Sequence, residues 1–145
     1  MKLEGEVRIP SGCAISAAIS RKGNLFTGEG MIKAMEVMHE RSNGLGGGFA
    51  AYGIYPEYKD YYAFHIFYSD RNARVETEAF LKERFEIVQA EVIPTHKIPE
   101  ITDVPLIWRY FLSPLRSIVE REMLDEDEYT VRAVTKVNST IDGAY

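Results

Sequence analysis

Cysteine is almost missing from this chain. Cys13 stands alone among 145 residues, which excludes an internal disulfide and any CxxC metal or redox motif. No run of lysine or arginine occurs and the formal net charge is −5. The basic stripe that neutralises nucleic-acid phosphates is therefore lacking, and no nucleic-acid partner is expected. Long apolar runs are absent too. The longest uncharged stretch, Ser42 to Pro56, is glycine-rich and far too short to span a membrane, so no membrane partner is expected. The first twelve residues carry Glu4, Glu6 and Pro10 in place of the apolar core of a secretory signal, which makes the cytoplasm the expected location. His39, His65 and His96 are too widely spaced to pair as ligands, and the four acids Asp125–Glu128 cannot all face one ion. Neither a metal nor a cofactor is expected.

What is present suits one soluble globular domain: 46% hydrophobic and 27% charged residues, with no repeat and no linker. The small and β-branched stretch Cys13–Ser20 predicts a buried strand, followed by a turn at Arg21–Asn24. Thr27 is placed to cap a helix from Gly28 to Glu40, whose apolar face would be Met31, Ala34, Met35 and Met38. The glycines from Gly44 to Gly53 allow close backbone approach, but their order after a helix and before a strand is the reverse of a dinucleotide fingerprint.

Further on, Tyr61–Tyr68 predicts a strand and Asp70 or Asn72 a helix start, with the helix running through Phe85 and Val75, Ala79 and Phe80 or Leu81 pointing inward. Glu86–Ile93 alternates as a strand would. Trp108, Phe111, Leu112, Leu115, Val119 and Met123 form a helical stripe beginning at Pro105 and split at Ser113-Pro114. Asp125–Glu128 is expected as a solvated connection, Tyr129–Val137 as a final strand, and Gly143-Ala144-Tyr145 as an element cut short. The fold class expected from this succession is a layered α+β domain.

Ser11-Gly12-Cys13-Ala14-Ile15, followed after a helix-length interval by His39-Glu40-Arg41-Ser42-Asn43-Gly44-Leu45-Gly46-Gly47-Gly48, resembles the class II glutamine amidotransferases. The likeness is greatest to the amidotransferase domain of glutamate synthase in its stand-alone archaeal form, and its motifs cover about residues 11–56. The resemblance implies an N-terminal-nucleophile hydrolase, an αββα sandwich, of which residues 13–145 would be the N-terminal portion, incomplete at the C-terminus. It implies Cys13 as the catalytic nucleophile, attacking the side-chain amide of glutamine to give a thioester and ammonia. In that family the cysteine's own α-amino group is the base, which requires Cys13 to become the first residue and makes residues 1–12 an expected propeptide. Arg41 is carried over as a substrate-binding residue. Departures from the family pattern are plain: Cys-Gly-Ile is Cys-Ala-Ile here, His-Arg-Gly is His-Glu-Arg-Ser, and no Asn-Gly follows Asn43-Gly44.

The implied partners are glutamine, a synthase subunit or a missing half-domain that receives the ammonia, and a second copy of the chain if the terminal strand is left uncovered. The bland alternative keeps the same residues and gives them less to do. Cys13 is then a small hydrophobe, and the chain is a non-catalytic α+β interaction or regulatory module.

Overall fold

A computed structural model describes residues 13–38, 47–97, 99, 102 and 104–145. The chain divides into two compact units, Met1–Ile54 and Tyr55–Tyr145.

In the first unit, residues 13–20 form neither helix nor strand, contrary to the strand predicted there. The Arg21–Asn24 turn is present, closed by Gly23 N–H donating to the Ser20 carbonyl at 3.2 Å, with Gly23 at φ 70°. Helix α1 spans Glu29–Glu36 and is shorter than expected at both ends. Its N-cap is Gly28, not Thr27, and no side chain caps it. The reason for that choice is spatial: the Phe49 ring lies where a Cβ on Gly28 would be, 2.6 Å away. Met31, Ala34 and Met38 are half-buried as one face, and Ser16 Oγ donates to Met31 Sδ at 3.5 Å. Met35 is exposed.

The second unit holds the core. Strand β1 (Tyr62–Tyr68), helix α2 (Arg71–Lys82), strand β2 (Phe85–Val92), strand β3 (Leu106–Pro114), helix α3 (Arg116–Glu122) and helix α4 (Glu126–Thr140) follow in order. The sheet order is β1-β3-β2, with β3 antiparallel to both neighbours. The architecture is mixed α and β.

Helix α2 starts where a good cap stands: Asp70 accepts from Asn72 N–H at 2.7 Å and Ala73 N–H at 2.9 Å. It buries Ala73, Thr77 and Leu81, a four-residue spacing. Leu81 points inward as expected, whereas Val75 and Ala79 are exposed. Phe85 belongs to β2 rather than to the helix end.

Two predicted elements change type. Residues 106–114 are the central strand, not a helix. A strand paired on both edges and covered on both faces has no polar side to show, so its apolar residues run on without alternation and imitate a helical stripe. Tyr110 and Leu112 are fully buried on the helix-covered face, while Phe111 is buried on the reverse face under Tyr58, its ring stacked at 3.9 Å. Ser113-Pro114 ends the strand instead of kinking a helix.

Residues 129–137 are helical, not a strand. Tyr129, Ala133 and Val137, with Thr130 beside them, are the buried face of α4. The acids before them are part of that helix. Asp125 caps it by accepting from Glu128 N–H at 2.7 Å, and Glu126, Asp127 and Glu128 sit on the positive end of its dipole. Tyr62 on β1 is tied to the same end, its hydroxyl donating to Asp127 Oδ1 at 2.6 Å. Burial, then this carboxylate, pushes the Tyr62 phenol up to about 12.

The last residues pair with the outer edge of β1. Ser69 N–H donates to the Gly143 carbonyl at 2.8 Å, and Phe67 and Tyr145 exchange bonds of 2.9 and 3.0 Å. Ala144 is fully buried, and Gly143 takes φ 78° against Ser69, where any other residue would be strained. The segment Tyr129–Val137, expected as an uncovered terminal strand, is instead part of helix α4.

Candidate functional site

Cys13 is a free thiol and its side chain is exposed, at the start of the irregular segment that precedes the Arg21–Asn24 turn. Ala14 and Ser16 are half-buried while Ile15 and Ile19 are 88% exposed. Arg41, His39 and Asn43-Gly44, and the expected propeptide 1–12, lie outside the described residues. The two candidate site residues of the sequence are thus placed unequally, one on a reachable surface and the other not described.

Two polar clusters in the second unit were not singled out from the sequence. The first lies on the helix-covered face. The Tyr68 and Tyr110 hydroxyls are 3.0 Å apart in the core, and Tyr110 also donates to Glu78 Oε1 at 3.1 Å. The same carboxylate oxygen accepts from Arg74 Nε at 2.7 Å, and Lys82 Nζ stands 3.8 Å from Oε2. Burial alone would raise the Glu78 carboxyl. The hydrogen bonds from Arg74 and Tyr110, with the charges of Arg74 and Lys82, outweigh it and hold the group below its ordinary value. Burial and the adjoining Tyr68 hydroxyl drive the Tyr110 phenol far upward, so it stays protonated as a donor. The signal available in the sequence was the Arg74…Glu78…Lys82 spacing of four, which puts a cation one turn on each side of an acid.

The second cluster lies on the reverse face of the sheet. Arg109 Nε donates to Glu91 Oε1 at 2.9 Å, its Nη2 reaches the same oxygen, and its Nη1 donates to the Tyr55 hydroxyl at 2.6 Å. That hydroxyl sits 3.2 Å from His65 Nε2. The hydroxyl accepts from Arg109 and shares a hydrogen bond with His65, in which either group can be the donor. Burial, then the Arg109 charge, lowers the His65 value. Tyr55 packs edge-on against Phe111 at 5.0 Å, so the segment 55–58 lies across this face on two tyrosines.

Neither cluster contains a cysteine or a serine, and each is held together by ion pairs and hydrogen bonds. Among the described residues no three His, Cys, Asp or Glu side chains gather to hold a metal ion. Among them, too, no helix is long and apolar enough to cross a membrane.

No protein-family model matches the chain, and no solved structure matches it. An uncharacterized protein of Archaeoglobus fulgidus is 46% identical over 135 residues, covering 92% of this chain and 35% of that protein. The chain therefore spans about a third of that relative's length.

Proposed function

We propose that the chain carries the nucleophile-bearing portion of a class II glutamine amidotransferase, supplying ammonia to a synthase partner. The observation that carries this is Cys13 itself: the one thiol in the chain, exposed, at the head of a segment of small residues that resembles the family's opening. An interior cysteine would argue for packing, whereas an accessible thiol can meet a substrate.

The chemistry is that of an activated thiol. The α-amino group of a chain beginning at Cys13 takes the Sγ proton, and the thiolate adds to the side-chain carbonyl carbon of glutamine. Collapse of the adduct breaks the C–N bond and releases ammonia, leaving a thioester. Water then cleaves the thioester to glutamate and restores the thiol. Arg41 would bind glutamine. The layered α+β reading is supported by the second unit's sheet, whose one face packs against the helices in a single core.

The test is labelling with a glutamine-mimicking electrophile. A chain beginning at Cys13, in a protein that carries the remainder of the amidotransferase domain, is expected to be labelled at Cys13 and protected by glutamine. Retaining residues 1–12, or changing Cys13→Ser, is expected to abolish both labelling and glutaminase turnover, because a hydroxyl ionises far less readily than a thiol. Equal labelling with and without residues 1–12, unprotected by glutamine, would refute the assignment.

A second reading has its own observation. The core cluster is drawn wholly from Ile66 to Ala144, so the second unit closes a core of its own. This favours an interaction or regulatory module within the same chain.

A further inference from the structure

We propose that the groove between α2 and β2, on the helix-covered face of the sheet, binds a small amphipathic monocarboxylate. The site lies wholly in the Tyr55–Tyr145 unit and does not depend on the role of Cys13.

The groove arises from one small residue. On this face β1 presents Tyr62, Phe64, Ile66 and Tyr68, and β3 presents Trp108, Tyr110 and Leu112. At the position on β2 paired with Tyr110 the sequence has Ala90, which is exposed. A large side chain there would cover the face as it does elsewhere. With alanine, an open groove of about 420 Å³ remains, floored by Phe85, Ile87 and Trp108 and walled by Arg74, Glu78 and Lys82 of α2. That volume is in the range of roughly 300–1,000 Å³ typical of small-molecule sites.

Its polar rim is arranged for an anion. The Arg74 guanidinium lies 3.5 Å over the centre of the Trp108 ring and gives Nε to Glu78 at 2.7 Å. The Tyr110 hydroxyl also interacts with this guanidinium. A guanidinium held by stacking, a carboxylate and a hydroxyl has already lost most of its freedom, and its charge lines the groove where a second carboxylate can meet it. Arg74 and Lys82 bring two positive charges to the rim and Glu78 one negative, leaving one positive charge unmatched. A single carboxylate balances it. A neutral head lacks the attraction and an ammonium is repelled. The apolar floor asks for a hydrocarbon body of a few carbons, and no bond is made or broken.

Trp108 is the chain's one tryptophan and lies beneath Arg74, so its fluorescence reports on the groove directly. The complete 145-residue chain is titrated with octanoate, octanol and octylammonium, with calorimetry as an independent readout. A saturable response to octanoate, and none to the other two, is expected. Arg74→Gln is expected to weaken octanoate by roughly tenfold or more, the loss of a charged hydrogen-bonded contact. Ala90→Phe is expected to abolish binding by filling the groove. Because Ala90 is exposed on a strand and phenylalanine suits strands, this variant keeps the fold, as circular dichroism will show. Absence of a saturable octanoate response, an equal response to octanol, or wild-type binding by Ala90→Phe would each overturn the proposal.

Discussion

The tyrosine pair at the centre of the second unit offers a measurable test of its core. Both rings are fully buried, the hydroxyls are 3.0 Å apart, and only Tyr110 also reaches Glu78. Removing the Tyr110 hydroxyl therefore leaves the Tyr68 hydroxyl without that partner and takes a donor from Glu78. Tyr68 keeps its hydrogen bond with Thr77, but two bonds of the Tyr110 hydroxyl are lost at about 0.5–1.5 kcal/mol each, so Tyr110→Phe is expected to cost about 1–3 kcal/mol. Tyr68→Phe leaves Tyr110 still bonded to the charged Glu78 and is expected to cost less.

The Tyr68–Tyr110 bond is lost in each single variant but only once in the double. The cost of the double variant should fall short of the sum of the singles by roughly 0.5–2 kcal/mol. Urea unfolding followed by Trp108 fluorescence and far-ultraviolet circular dichroism gives all three values by linear extrapolation. Additivity within about 0.3 kcal/mol, or a Tyr68→Phe loss larger than that of Tyr110→Phe, would refute the network. Acid titration adds a second arm. A carboxyl held below its ordinary value stabilises the fold above the unfolded value near 4.5 and stops doing so as pH falls through the folded value. With one donor gone in Tyr110→Phe, the folded value moves closer to the unfolded one and the acid-driven loss shrinks.

Two shorter tests probe the reverse face and α4. Burial and the Arg109 charge disfavour the charged form of His65, so its contribution is fully present above the unfolded value of 6.5 and is lost as pH falls from there through the lower folded value; His65→Gln should flatten the stability profile over that window, and an unchanged profile would refute the lowering by burial and Arg109. Asp125→Ala removes the side-chain acceptor of Glu128 N–H and is expected to cost about 1 kcal/mol in thermal or urea unfolding, whereas a solvated connection would tolerate it without loss.

Elements with strong local signals were legible in the sequence. The Asp70 cap announced α2, and the flanking strands Tyr62–Tyr68 and Phe85–Val92 differ from expectation by one residue at their ends. β3 was not legible, because its helical stripe is produced by burial on both faces, which depends on neighbours far away in sequence. Phe111 is the plainest instance. It lies opposite Leu112, and only the stacking of Tyr58 explains why both are apolar. In α4 the four-residue rhythm Tyr129, Ala133, Val137 is overlaid by alternation at Tyr129, Val131 and Ala133, and the acidic cap that decides between them reads in the linear chain as a solvated connection.

The candidate site divides along the same physical line. Cys13 stands out in sequence because a lone thiol beside small residues is a chemical signal that needs no partner to be noticed. The clusters around Glu78 and Arg109 depend on pairing between strands. Tyr55 meets Arg109, 54 residues away in sequence, and Glu78 meets Tyr110, 32 residues away. Only Arg74, Glu78 and Lys82, on one helix, share a spacing visible in the linear chain, and they mark the wall of the groove. Its floor is invisible there for a different reason. It is made by what Ala90 lacks, and an absent side chain acquires meaning only once Trp108 and Tyr110 are placed beside it. Anion binding that disappears on filling this one position would therefore separate a site from a gap in packing.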